Sequence, residues 1–517
     1  MLYLAFIYHM HQPYYTNLLT RESPSPWVRL HATKDYSDMV LILEKFPKIH
    51  LTFNLVPSLI EQIEDYIEGR VREQYLEISS KKIEELTPQE KVFIKAHFFK
   101  INISKVISHI PRYYQLYLKK LNNQEFSHQD YLDSIVWFNL AWIDPYFRQA
   151  IPELKAIKQK ARFFSEEEKQ IVLEKQKEII KGTISVYKRF QDLGQIEVSI
   201  SPFYHPILPL LYNTKIALEA NPKTAVPKDL VFSYPEDVQA QIQNAVDFMY
   251  KRFGKKLQGM WPSEESVSEH ILPYIIKAGI NWIVTDEAIL FKSLKKKRSG
   301  KLLYQPYLLE REEGVLNIVF RDRNLSDLIG FVYHQWKAED AVNNFMTHLK
   351  NIAQTFKNED CLVVIALDGE NAWEYYPNDG WDFLNLLYQK ISEADFIKSV
   401  TISEYLNIHP PKQTLAKLKP GSWINADFQK WIGNPYKNKA WEYLIAARKL
   451  LTNLSSSLPN PALAWKQMYI LEGSDWFWWY GDKQPEFDAL FRMHLANFYR
   501  LLGREIPTYL NSPLEPP

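Results

Sequence analysis

The stretch Cys361-Leu-Val-Val-Ile-Ala-Leu-Asp368-Gly-Glu370-Asn-Ala-Trp373-Glu decides the fold. Its unbroken apolar run, Leu362 to Leu367, is rich in β-branched residues and has the length of a strand. Such a run reads as a strand buried on both faces, as in a parallel sheet. It delivers Asp368, with Glu370 two residues on, at its C-terminal end, where α/β barrels carry their chemistry. The segment Leu257-Gln-Gly-Met-Trp261-Pro-Ser-Glu264-Glu265 has the same form. Two strand-end carboxylates point to an acid and nucleophile pair.

The pattern recurs along the chain. Tyr3 to Tyr8 runs into His9-Met-His11-Gln12-Pro13, and His50 to Val56 ends around Asn54 and Pro57. Ile196 to Ile200 leads to Ser201-Pro-Phe-Tyr204-His205, Asn281 to Thr285 to Asp286-Glu287, and Val315 to Phe320 to Arg321-Asp322-Arg323. Solvent alone accounts for one polar strand end. It does not select Trp, Tyr and His beside the charges at every end, so the seven segments predict one shared polar rim.

Composition narrows the function classes. A net charge of +1 gives no electrostatic case for nucleic acid or an anionic membrane. The single cysteine, Cys361, lies inside the expected buried strand, which excludes a disulfide framework and a cysteine zinc site. Aromatic residues make up 14%, and rings beside carboxylates suit sugars, whose C–H faces stack while hydroxyls bond to polar groups. Met1 to Tyr8 is too short and lacks the basic leader of a targeting segment, so it is expected to be the first strand and the protein cytoplasmic. No apolar run approaches the length of a membrane span.

Between the second and third strands, residues 58–193 are rich in Lys and Glu and show helical periodicity. The aromatic centre of this insertion, Asp133 to Pro145, fits either helix packing or a loop over the site. Lys295 to Arg298 reads as a solvated turn. Past Pro410-Pro411 and Pro420-Gly421, the periodicity around Trp441 to Leu450 and Ala462 to Tyr469 predicts a helical unit. The expected organisation is a catalytic barrel over 1–409 and a helical domain over 410–517 that contributes to the cleft. Two aromatic stretches, Trp423 to Trp431 and Ser474-Asp-Trp476-Phe-Trp-Trp-Tyr480, fit a carbohydrate groove or a plain interface against the barrel.

Taken in order, His11-Gln12-Pro, Gly194-Gln-Ile-Glu197-Val, Trp261-Pro-Ser-Glu264, Asp368-Gly-Glu-Asn and Trp423…Trp431-Ile-Gly…Asn438-Lys-Ala-Trp441 resemble glycoside hydrolase family 57, over nearly the whole chain. The Trp-Pro-Ser-Glu form and the Ser474 to Tyr480 stretch are similar to its amylopullulanase-like and α-amylase-like branch. The resemblance implies an α/β fold with an incomplete (β/α)7 TIM-like barrel, a long helical insertion and a C-terminal helical domain. It implies a retaining enzyme acting on α-1,4-linked glucans, with α-1,6 linkages left open. Glu264 matches the nucleophile and Asp368 the general acid/base. Substrate contacts are expected from His11, Gln12, Glu197, His205, Trp261, Asp286, Arg321, Glu370, Trp373, Trp423 and Trp476. An α-glucan oligosaccharide or polysaccharide is the expected partner, and neither metal nor cofactor is called for.

Physical chemistry supports those roles independently. Retaining cleavage needs two carboxyl groups about 5–5.5 Å apart, one attacking as an anion and one donating then accepting a proton. Neighbouring carboxylates repel, so one holds its proton towards neutrality. Arg321 and Arg323 are placed to keep a nucleophile ionised, or else form a surface ion-pair cluster with Asp322. The residues leave Glu264 against Glu265, and Asp368 against Glu370, as alternatives. They also leave open a 4-α-glucanotransferase or branching enzyme, a metal-dependent hydrolase using His9, His11 and His205, and a non-catalytic glucan-binding protein.

Overall fold

The computed structural model describes all residues except 358, 371, 455–457 and 517. Asn371, the last residue of the Asp368-Gly-Glu-Asn motif, lies outside them. A single large sheet organises the chain. Its strands are β1 (Leu2–Met10), β2 (Leu51–Leu55), β3 (Ile196–Ile200), β4 (Gly259–Met260), β5 (Trp282–Asp286), β6 (Tyr307–Arg311), β7 (Gly314–Arg321), β8 (Cys361–Asp368), β9 (Ile397–Ser399) and β10 (Gln413–Thr414). The order β8-β1-β2-β3-β4-β5-β7 is parallel throughout, so all seven expected segments are strands of one parallel run. The hairpin partner β6 is antiparallel to β7, β10 extends that edge, and β9 pairs with β1.

The two ends of the parallel run meet at a seam. There the Asp322 N–H donates to the Val364 carbonyl at 2.8 Å, and the Ser326 hydroxyl accepts from the Ala366 N–H at 3.1 Å. Thus the seam is bridged without a regular ladder, and the architecture is the incomplete seven-stranded α/β barrel.

Period-2 alternation explains the layers. Leu2, Leu4, Phe6, Tyr8 and Met10 of β1 pack outward against helices, as do Cys361, Val363, Ile365 and Leu367 of β8. Tyr3, Ala5 and Ile7 point into the barrel, where they meet Leu362, Val364, Ala366, Trp282, Val284 and Val319. One further step along each alternation puts His9, Asp368, Asp286 and Arg321 on the inner face at the C-terminal rim. The opposite mouth is closed by the helix Ile402–Ile408, whose Ile402 and Tyr405 join the inner apolar cluster.

The 58–193 region is helical, from Pro57–Ile67 to the 27-residue Glu166–Asp192, and has a second apolar core of its own. Its aromatic centre lies on the helix His128–Ala141, with Trp137 and Trp142 buried in that core, so it is helix packing. Beyond β10 the chain forms the helices Pro435–Leu454, Pro461–Leu471, Ser474–Trp479 and Pro485–Leu501. No helix among the described residues is long and apolar enough to cross a membrane.

Candidate active site

Glu264 follows the short β4 in a tight turn where it and Glu265 both hold left-handed backbone, with φ of 57° and 52°. Consecutive non-glycine residues of this kind store roughly 1–3 kcal/mol of strain each, and such strain concentrates at functional sites. Trp423 clamps the turn. Its backbone N–H donates to the Glu264 carbonyl at 3.2 Å, and its indole Nε1 donates to the Glu264 carboxylate at 2.9 Å. Burial pushes the Glu264 carboxyl up to about 7; the Trp423 hydrogen bond opposes this and the charge of Asp368 adds to it.

Asp368 closes β8 opposite His9 in the register and is exposed. The strand ends there, and Glu370 turns away beyond Gly369. Its carboxylate accepts from the His11 backbone N–H at 2.8 Å and the Tyr36 hydroxyl at 2.9 Å. Burial first, and Asp368 second, hold Glu370 well above the ordinary carboxylate range. Asp368 thus acts electrostatically on Glu264 from one side and on Glu370 from the other.

Three histidines stand beside this pair. The rings of His11 and His205 stack with centroids 4.1 Å apart, and His9 stacks on Trp261 at 4.9 Å. His9 Nδ1 lies 2.6 Å from Asn54 Oδ1, and burial brings its imidazole down to about 3. His205 Nδ1 is 3.0 Å from the Ser474 hydroxyl and 4.0 Å from Glu264 Oε1. Burial, with the neighbouring imidazoles, keeps His205 well below its usual value. His11 Nε2 meets Asp475 Oδ1 at 2.9 Å. Neutral imidazoles both donate and accept, as sugar hydroxyls require. His11 Nδ1 and His205 Nε2 are buried without a protein partner, free to take such bonds.

Among the described residues, His11, His205 and Asp475 are the one trio whose ligand atoms, within 4.8 Å of one another, are spaced for a metal. The same groups are also accounted for without an ion, by the stacking of the two rings at 29° and the bond from His11 to Asp475.

Other expected contacts fall elsewhere. Arg321 and Asp286 lie behind the pair, around Glu265. Arg321 is 3.7 Å from both Glu265 and Asp286 and also pairs with Asp327, while Arg323 pairs with Asp286. Their ion pairs therefore go to these carboxylates rather than to Glu264, although Arg321 lies 5.5 Å from the Trp423 ring. Gln12 is buried and accepts from the Tyr15 hydroxyl at 3.2 Å.

Three residues are not brought to the cluster. Glu197 is at the start of β3, at the opposite mouth, and accepts from Trp282 Nε1 at 2.9 Å and the Ser403 N–H at 3.0 Å. Trp373 is buried against Tyr376 and Phe383. Trp476 is buried with its Nε1 on the Ile470 carbonyl at 2.8 Å; its neighbours Ser474 and Asp475 reach the histidines instead, and Trp478 stacks on Trp423 at 6.1 Å. Lys295 to Arg298 is exposed, as expected of a solvated turn, and Arg298 pairs from it with Glu287 at 2.7 Å and Asp322 at 3.2 Å. Sequence reasoning missed Tyr36 and the buried role of Glu265, for which no motif or periodicity gave a signal.

Comparison with known proteins gives a consistent result. The alpha-amylase 1 of Dictyoglomus thermophilum is 25% identical over 269 residues, 51% of this chain and 33% of that protein. A 4-alpha-glucanotransferase of Thermococcus litoralis is 23% identical over 283 residues, 55% of this chain and 36% of that protein. The matches thus span about a third of the length of these curated relatives. The crystal structure of the GH57-type branching enzyme from Pyrococcus horikoshii superposes with a TM-score of 0.63 at 18% identity, covering 96% of this chain and 89% of that one. The alpha-amylase AmyC from Thermotoga maritima gives 0.59 at 14%, covering 97% and 92%. These are likenesses of fold. The family model of glycosyl hydrolase family 57 matches residues 5–419, and the chain belongs to that family.

Proposed function

We propose that this chain is an α-glucan-active retaining glycosidase in which Glu264 attacks the anomeric carbon and Asp368 is the acid/base. The observation that carries the reading is the strained Glu264 turn, clamped by Trp423 and electrostatically coupled to Asp368 on the same barrel rim. With the proton on Asp368, burial still raises Glu264 but the Asp368 charge no longer adds to it, and Glu264 ionises more readily. Asp368 then protonates the departing oxygen as Glu264 forms the covalent bond. It next takes a proton from the incoming water.

Relatives named as amylase and as 4-alpha-glucanotransferase support hydrolysis and transfer equally, because both proceed through this intermediate. Incubation with maltoheptaose, amylose and pullulan, followed by chromatography, separates them. Shorter products alone mean hydrolysis, shorter and longer ones together mean transfer, and new branches mean a branching activity. An absence of turnover on all three sinks the reading.

The roles within the pair have their own test. Glu264→Gln should lose several orders of magnitude in turnover on every substrate, since the nucleophile is gone. Asp368→Asn should lose as much on maltooligosaccharides but much less on an aryl glycoside, whose leaving group departs without a proton. The opposite pattern would exchange the two roles.

A further inference from the structure

Clustered large apolar side chains in solvent mark interaction sites. Four of them crowd the seam of the barrel: Phe331 is 59% exposed, Tyr375 52%, Trp336 41% and Val332 36%. Phe331, Val332 and Trp336 belong to the connection after β7, and Tyr375 to the connection after β8. Both connections leave the C-terminal rim that carries Asp368.

The two loops are tied together. The His334 ring lies 5.6 Å from Tyr375 and 6.2 Å from Tyr376. The Tyr376 hydroxyl donates to the Ile329 carbonyl at 2.6 Å. Trp336 packs at 5.4 Å on the buried Tyr333. Trp336 and Tyr375 are therefore braced from below by Tyr333 and His334. Leu328–Val332 is a π-helical turn, a rare geometry that recurs at functional sites. On the other loop, Asn378 and Asp379 hold left-handed backbone at φ of 49° and 57°, a second local strain. Tyr375 follows Glu370 by five residues, so its Cα lies within about 18 Å of Glu370 even if that segment is fully extended. The patch thus rises from the same rim as Asp368, within the span of a long glucan.

We propose that this braced aromatic patch is a second glucan-binding site, which holds a distal part of a long α-1,4-glucan whose scissile bond lies at Glu264. This rests on the α-glucan reading above. The chemistry fits a neutral polysaccharide. Rings take the C–H faces of sugars, and His334 and Gln335 add hydrogen-bonding groups beside them. A second copy of the chain fits less well, because four part-exposed side chains offer far less than the roughly 800 Å² per partner of a stable interface.

The test is the double variant Trp336→Ala/Tyr375→Ala, with Phe331→Ser as an independent variant. Wild-type protein should be retarded in native gels containing glycogen, and both variants should lose most of that retardation while keeping the wild-type melting temperature. For the double variant, kcat/KM on amylose should fall on the order of tenfold, as expected for two lost ring contacts, with maltotriose little changed. Wild-type protein that is not retarded, or folded variants retarded as wild type, would overturn the proposal. So would an equal fall on amylose and maltotriose, which would place the rings in the catalytic cleft. A wild-type dimer made monomeric by the variants would assign the patch to self-association. Retardation without any turnover would sink the enzymatic reading alone, since the gel reads binding only.

Discussion

Glu265 shows how two adjacent identical residues come to differ. Its neighbour Glu264 faces Trp423 and Asp368, whereas Glu265 is fully buried among Arg321, Asp286, Arg323 and Asp327. Burial outweighs the two arginines and pushes its carboxyl up to about 8, and neither of its oxygens has a hydrogen-bond partner. An acid whose folded value is raised binds its proton more tightly in the native state than in the unfolded chain. The native state therefore holds the extra proton between about 4.5, the ordinary value, and about 8. Stability falls as pH rises through that window and levels off above it. Glu265→Gln removes this titration. Urea unfolding at stepped pH should show the variant gaining on wild type between pH 5 and pH 8. A difference that stays flat would mean that Glu265 is ionised in the fold. The variant should also retain turnover, in contrast to Glu264→Gln.

At the scale of the element, much of the barrel was legible in the sequence because each strand of the parallel run is a compact apolar segment with a polar end. β6, β9 and β10 were not: β9 and β10 have three and two residues, and β6, Tyr307–Arg311, has only three apolar residues before Glu310 and Arg311. The rim residues His11, His205, Asp368 and Glu264 could be read because each closes or follows a strand. Glu197 is the exception. The expected strand, Ile196 to Ile200, has the observed bounds and already puts it at the N-terminal mouth, but its place in a motif outweighed that position. Trp373 and Trp476 failed for a related reason: proximity to a motif does not tell which face of a short helix is buried. At its mouth, Glu197 fastens the helix Ile402–Ile408 to the barrel through the Ser403 N–H and Trp282 Nε1. Glu197→Ala takes the carboxylate from the Ser403 N–H and leaves Trp282 Nε1 only its 3.2 Å bond to the Ser403 hydroxyl, which costs about 1 kcal/mol or more. The expected outcome is a lower denaturation midpoint with kcat/KM nearly unchanged. A selective loss of kcat/KM at constant stability would return Glu197 to the substrate.

The whole molecule is joined where the site is completed. The segments after β10 pair with the barrel connections through the bridges Val267 to Gly421 and Pro206 to Gly473. They supply Trp423 to Glu264, Ser474 to His205 and Asp475 to His11. Away from the cleft, the buried Arg448 meets Asp237 at 2.6 Å, and Gln241 donates to Glu472 at 2.9 Å. Trp441 packs on Phe232 at 5.5 Å. An interface this apolar and this polar at once leaves little freedom for the barrel to fold alone. Residues 1–409 would expose Phe232 and strip Asp237 of its Arg448 partner. We expect that fragment to be insoluble or inactive. A milder test keeps the full chain. Arg448→Met should remove about 3–5 kcal/mol of stability, the usual cost of breaking a buried ion pair by deleting one partner. Its melting should remain a single transition, with turnover lost in the same step. A soluble, active 1–409 fragment, or an Arg448→Met protein that loses the C-terminal segments in a separate transition while still cleaving glucan, would show that the barrel works without them.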